Sequence, residues 1–166
     1  MTYLTGIIFA KRVLGIDFVS DYIDWAGDML TREYDSRNLR ILASTMRSAS
    51  TSEAEDYFLR CVKELQIIEP GPETAVPEYA CYFARQILDG QLTSREGVRA
   101  LYRLRFETDD APEFLVWSEL DDALDSLTSG NSPYYYRSDE SVTPETFDTV
   151  VKQEAERFIV RMTKTG

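Results

Sequence analysis

Apolar side chains return every three or four positions along nearly all of this 166-residue chain, and almost nowhere every second position. That period lines one stripe of an α-helix, whereas a half-buried strand needs period two. The sequence therefore predicts an all-α protein. Residues 5–14 read as a short first helix. Residues 17–33 form the second, with Phe18, Tyr22, Trp25, Ala26 and Met29 on its apolar side. Residues 36–47 form the third, with Leu39, Leu42, Ala43 and Met46 inward. Residues 52–65 form the fourth, opened by the capping pattern Ser52-Glu53-Ala54-Glu55.

Glu69-Pro70-Gly71-Pro72 then interrupts the helices, because proline lacks a backbone donor and restricts the residue before it. Residues 77–89 read as the fifth helix, with Gly90 past its end. Thr93-Ser94-Arg95-Glu96 is a capping box that opens the sixth, to about residue 105. Asp110-Ala111-Pro112-Glu113 opens the seventh, closed by Gly130, and Thr143-Pro144-Glu145 opens the eighth. The strand-like fragments are residues 65–68 and 134–136. The expectation is an irregular bundle of seven or eight helices in a single domain. Within it, halves 1–69 and 77–166 would be joined by a Pro/Gly-rich connection at 70–76.

Composition fits a globular chain, with 43% hydrophobic and 12% aromatic residues. A chain of this length buries about 70% of the surface its unfolded form exposes, enough to need no metal or disulfide staple. Cys61 and Cys81 form no CxxC motif, which points to a reduced, cytoplasmic protein. The apolar residues 4–10 precede Lys11 and Arg12 instead of following them, unlike a signal peptide. No run approaches the roughly 20 apolar residues of a membrane span.

Charge is the second constraint. There are 29 acidic against 18 basic residues, a net −11, and no histidine. Nucleic acid and anionic membranes want clustered Lys and Arg, so neither is an expected partner; a basic protein is. The net charge is −4 over residues 1–76, +2 over 77–106 and −9 over 107–166, which predicts charge pairing within the chain.

Asp17, Asp21, Asp24 and Asp28 fall at i, i+4, i+7 and i+11, one stripe of the second helix. Like charges so stacked weaken a helix by about 0.2–0.5 kcal/mol per pair. Trp25 borders the stripe. An aromatic anchor ringed by carboxylates suits a surface that meets a basic partner, so Asp21, Asp24, Asp28 and Trp25 form the first candidate patch. The second is the loop residues Tyr134, Tyr135, Tyr136 and Arg137, residue types enriched at binding hot spots. At least one of three consecutive tyrosines must face solvent.

Arg95, Arg99 and Arg103 line the sixth helix and are expected to pair with Glu119, Asp122 or Asp125 on the seventh. Asp121-Asp122-Ala123-Leu124-Asp125 resembles the aspartate-rich DDxxD motif of isoprenoid synthases, which holds magnesium. The match stops at five residues. Ser126-Leu127-Thr128-Ser129 follows where those enzymes carry arginines, and no second such motif exists. The seventh helix is therefore read as a surface helix. Without histidine the chain lacks the usual general base and the commonest metal ligand, so no enzyme activity, cofactor or metal is expected.

Two fragments carry a wider resemblance. They are the stretch from Phe83-Ala84-Arg85-Gln86 to Glu96-Gly97, and the stretch from Glu113-Phe114-Leu115-Val116-Trp117 to Leu124. Both resemble small acidic all-helical bacterial proteins, some of them immunity partners of polymorphic toxins. The resemblance implies an immunity protein or inhibitor that occludes a basic toxin or enzyme, and it assigns no functional residue. The alternative reading is a helical adaptor that binds a peptide or protein helix in an apolar groove.

Overall fold

The structure is a computed structural model that describes residues 3–108, 111–136 and 140–164. It is all-α: 71% of it is helical, and the rest includes one two-stranded sheet. Its helices are α1 (Tyr3–Leu14), α2 (Val19–Thr31), α3 (Arg37–Ala43), α4 (Thr51–Glu64), α5 (Pro72–Leu88), α6 (Ser94–Glu107), α7 (Leu115–Thr128) and α8 (Phe147–Lys164). A short 3-10 turn, Pro112–Phe114, leads into α7. Strands β1 (Tyr134–Tyr135) and β2 (Ser141–Val142) pair antiparallel, Tyr134 opposite Val142 and Tyr135 opposite Ser141. No described helix is long and apolar enough to cross a membrane. The chain forms two compact units, Met1–Glu78 and Tyr79–Gly166, and α5 carries the chain from one to the other.

In the first unit α2 packs on α1, α3 and α4. Its centre is Phe58 of α4. Phe9, Tyr22 and Trp25 surround that ring, with centroids at 5.4, 5.3 and 4.8 Å. All four side chains are buried. Each such aromatic withdrawn from water stabilises the fold by about 1.5–3 kcal/mol, and the edge-on geometry adds a further fraction. The indole N–H of Trp25 donates to Thr5 Oγ1 at 2.9 Å, so its one polar group is satisfied inside the core. Arg12 covers the Phe58 ring at 5.7 Å and bridges Glu55 and Glu69.

In the second unit α6 packs on α7 and α8. Trp117 and Phe114 approach Phe158 of α8, with centroids at 5.5 and 5.7 Å. Gly97 of α6 meets Ile87 of α5. A Cβ at Gly97 would collide with Ile87 Cγ1 and Cδ1, so only glycine permits this closeness. Cys61 and Cys81 are both buried, and neither is in a disulfide.

Several helix ends differ from the sequence expectation, each for a local reason. Phe18 lies outside α2 and is exposed. The third helix stops at Ala43, because Ser44 Oγ and Thr45 Oγ1 both turn back to the Ile41 carbonyl. Met46, expected inward, therefore stands in solvent. The cap of α4 is Ser50, whose hydroxyl accepts from the Glu53 N–H at 3.1 Å, and not Ser52. The connection expected at 70–76 is mostly helix. Pro72 occupies the first position of α5, where its missing donor costs nothing, and the Gly71 carbonyl accepts from Thr74 and Ala75. Pro77 sits inside the helix instead of opening it. The eighth helix starts at Phe147, after a turn in which the Phe147 N–H bonds the Thr143 carbonyl. Asp110, expected as a cap, lies outside the described residues.

The capping box of α6 is as expected. Glu96 accepts from the Thr93 N–H at 3.0 Å and from the Thr93 hydroxyl at 2.7 Å, which holds its pKa below the ordinary carboxylate value. A carboxylate lowered on folding adds stability above its unfolded pKa, about 4.3, and loses it as the pH falls through the folded value. Glu96→Gln keeps a capping side chain but cannot titrate. Denaturant unfolding from about pH 6 to about pH 3 should therefore show the wild type losing its advantage over Glu96→Gln. Separately, Gly97→Ala should destabilise by about 1–3 kcal/mol. Adding Ile87→Val should recover part of that loss, and equal additive losses would rule out the close contact.

Candidate functional site

Asp21, Asp24 and Asp28 lie on α2 as expected, whereas Asp17 precedes the helix, and the group is largely answered from within. Asp17 accepts from the Tyr22 hydroxyl at 2.7 Å, and that bond together with burial pushes the tyrosine pKa well up, burial being the larger cause. Asp21 pairs with Lys11 at 2.6 Å and accepts the Phe18 N–H at 2.9 Å, closing the start of α2. Asp24 pairs with Arg47 at 2.6 Å, and Asp28 with Arg32 at 2.8 Å. Three cations thus face four carboxylates. Arg32 was legible as the i+4 partner of Asp28. Lys11 and Arg47 come from α1 and from the segment after α3, beyond the reach of helical spacing.

Trp25, expected as the surface anchor of this stripe, is 1% exposed. Its ring packs edge-on against Phe58, so it belongs to the core and the stripe has no aromatic beside it from that source. Of the stripe, Asp24 is the carboxylate most open to solvent, at 60%.

The tyrosine loop is organised by the short sheet. Side chains alternate along a strand, and the burial follows. Tyr136 and Val142 are buried, Tyr134 is half-buried, and Tyr135 and Ser141 point outward. The Tyr136 N–H bonds the Glu140 carbonyl at 3.1 Å, and its hydroxyl donates to Glu140 Oε2 at 2.6 Å, tying these two residues together beside the sheet. Glu140 also lies 3.8 Å from Arg157 of α8, whose guanidinium binds the buried Glu154 at 2.6 Å. Tyr135 is left 66% exposed on β1. Arg137 lies outside the described residues.

The hairpin packs on α7. Tyr134 faces that helix: burial, then the charges of Asp122 and Glu119, raise its phenol pKa. Of the three partners expected for the arginine row of α6, Asp125 is engaged, by Arg99 at 3.4 Å, whereas Glu119 and Asp122 are not, among the described residues. Arg99 also reaches Asp121 at 3.7 Å, and Arg95 bonds Thr128 Oγ1 at 3.4 Å. Asp121 is half-buried, and burial and then Asp125 raise its pKa. Asp122 and Glu119 are therefore available beside the tyrosines, a juxtaposition that no sequence spacing between residues 119 and 134 would reveal. The described residues contain no group of three or more Cys, Asp or Glu placed to hold a metal.

Comparison with known protein families, with characterised proteins and with solved structures finds no match to this chain.

The ion pairs of the stripe differ in what they support. Asp21 caps α2 and pairs in a partly buried setting, so Asp21→Ala should cost about 1–2 kcal/mol. Asp24 and Arg47 meet in solvent, where such a pair adds about 0–1 kcal/mol. Asp24→Ala should accordingly lower the urea midpoint much less than Asp21→Ala does, and the reverse order would contradict the capping role.

Proposed function

We propose that this chain is a cytoplasmic, non-enzymatic binding protein, an immunity protein or inhibitor that occludes a basic toxin or enzyme partner. The observation that carries this reading is Tyr135: a large amphipathic side chain held out in solvent on a strand paired with β2, beside the acidic face of α7. A tyrosine has few rotatable bonds to lose on binding, and neighbouring carboxylates steer a cationic partner toward it. The net charge of −11 acts in the same direction at longer range. Two buried cysteines outside any disulfide suit a reducing compartment.

The contact surface proposed is Tyr135 with Tyr134, Asp122 and Glu119 of the second unit.

The test is affinity capture from the source cell with the tagged chain, at low and at moderate salt, the latter shortening the Debye length to about 8–10 Å. A basic partner retained at low salt and released at moderate salt is the expected result. Tyr135→Ala should then weaken the purified pair by about 30-fold, a hot-spot loss, and Asp122→Lys should slow association more than Glu53→Lys does. A partner held equally at both salt levels, or indifferent to Tyr135, would refute the proposal.

A further inference from the structure

The outer face of α6 carries a second surface, of opposite character. At about 100° per residue, Arg95, Arg99, Tyr102, Arg103 and Phe106 fall within about 100° of arc. The inward face of the helix is already filled by Val98, Leu101 and Leu104, all buried. Phe106 is therefore surplus to the core, and it is 59% exposed. It does not stand alone: the Tyr102 ring meets it edge-on at 5.1 Å, a preformed aromatic pair. Arg103 is exposed and makes no ion pair among the described residues, and neither does Arg95. Arg99 is shared loosely with Asp121 and Asp125. On α6 itself, Glu96 is engaged by Thr93, and Glu107 follows Phe106 at the end of the helix.

We infer that this face of α6 binds an acidic segment of a partner protein, with an aliphatic or aromatic side chain of that segment seated on Tyr102 and Phe106. Guanidinium groups take carboxylates through paired hydrogen bonds, and arginine with aromatics is the composition of binding hot spots. From Arg95 to Phe106 the row spans about 16 Å of helix. An extended chain covers that in about five residues, each advancing about 3.3 Å. A second copy of this chain does not suit the face, since a two-fold pairing of α6 would set one arginine row against the other. Long nucleic acid does not suit it either, because the chain as a whole repels a polyanion. The inference is independent of the function proposed above, which uses the acidic surface and a partner of the other sign.

The experiment is selection of a displayed random-peptide library on the full chain, followed by titration of the enriched peptides by fluorescence anisotropy. The expected peptides carry several Asp or Glu and one large apolar residue. Arg103→Glu and Phe106→Ser should each weaken them by about 10-fold or more, whereas Tyr135→Ala should leave them within about twofold. Both α6 substitutions lie on an exposed face, and circular dichroism verifies that the fold is kept. Should Arg103→Glu unfold, Arg103→Ala serves in its place. Enrichment of basic peptides, no enrichment, or affinities unchanged in both α6 variants would overturn the inference. So would a labelled oligothymidine that binds and is lost in Arg103→Glu, since that outcome assigns the face to single-stranded nucleic acid.

Discussion

Both units depend on the same kind of contact: an indole set edge-on against a buried phenylalanine. Trp25 meets Phe58 at an interplanar angle of 73°, and Trp117 meets Phe158 at 75°. In each case an arginine closes the outer side of the phenylalanine, Arg12 at 5.7 Å and Arg161 at 5.5 Å. The positive edge of one ring against the negative face of the other favours this arrangement, and a guanidinium over that face uses the same quadrupole. Helices α2 and α4 in the first unit, and α7 and α8 in the second, take their positions from these pairs. Phe58 touches three other aromatics, so the first unit has little freedom to repack. That rigidity is what holds the aspartates of α2 in fixed places on its surface.

Much of the fold was legible from local rules. The capping box at Thr93 and Glu96 needs only residues three apart, and it was read correctly. The 3.6-residue period gave the all-α class and most of the buried faces. The errors came where a residue type permits two outcomes. Pro72 reads as a breaker and Pro77 as a helix start, yet Pro72 opens α5 and the helix absorbs Pro77 within its length. Ser44 and Thr45 ended α3 by bonding backward, a choice that hydrophobic spacing at Met46 cannot register.

The candidate site was legible in part and for similar reasons. Spacing alone places Asp21, Asp24 and Asp28 on one stripe, and α2 carries all three, whereas Asp17 falls before the helix begins. The neutralisation of the stripe does not follow from spacing, because Lys11 and Arg47 arrive through tertiary packing. Trp25 sits on the border between charged and apolar faces, where rotation of the helix by a few tens of degrees decides between surface and core. The hairpin obeys a simpler rule: with period two, the three tyrosines divide between inside and outside, and Tyr135 takes the outside. Asp122 and Glu119 come beside Tyr134 because β1 folds back on α7.

The two tryptophans offer something beyond packing, since each unit contains one of them. They sit in unlike surroundings: Trp25 donates its N–H to Thr5, whereas the Trp117 N–H meets no acceptor among the described residues. Hydrogen bonding to the indole and the polarity around it set its emission colour and yield, so the two chromophores carry separate optical labels for separate halves of the chain. Replacing either one leaves a single intrinsic reporter. Fluorescence from each variant then tells whether the halves melt as one cooperative body or in succession along the helix that joins them.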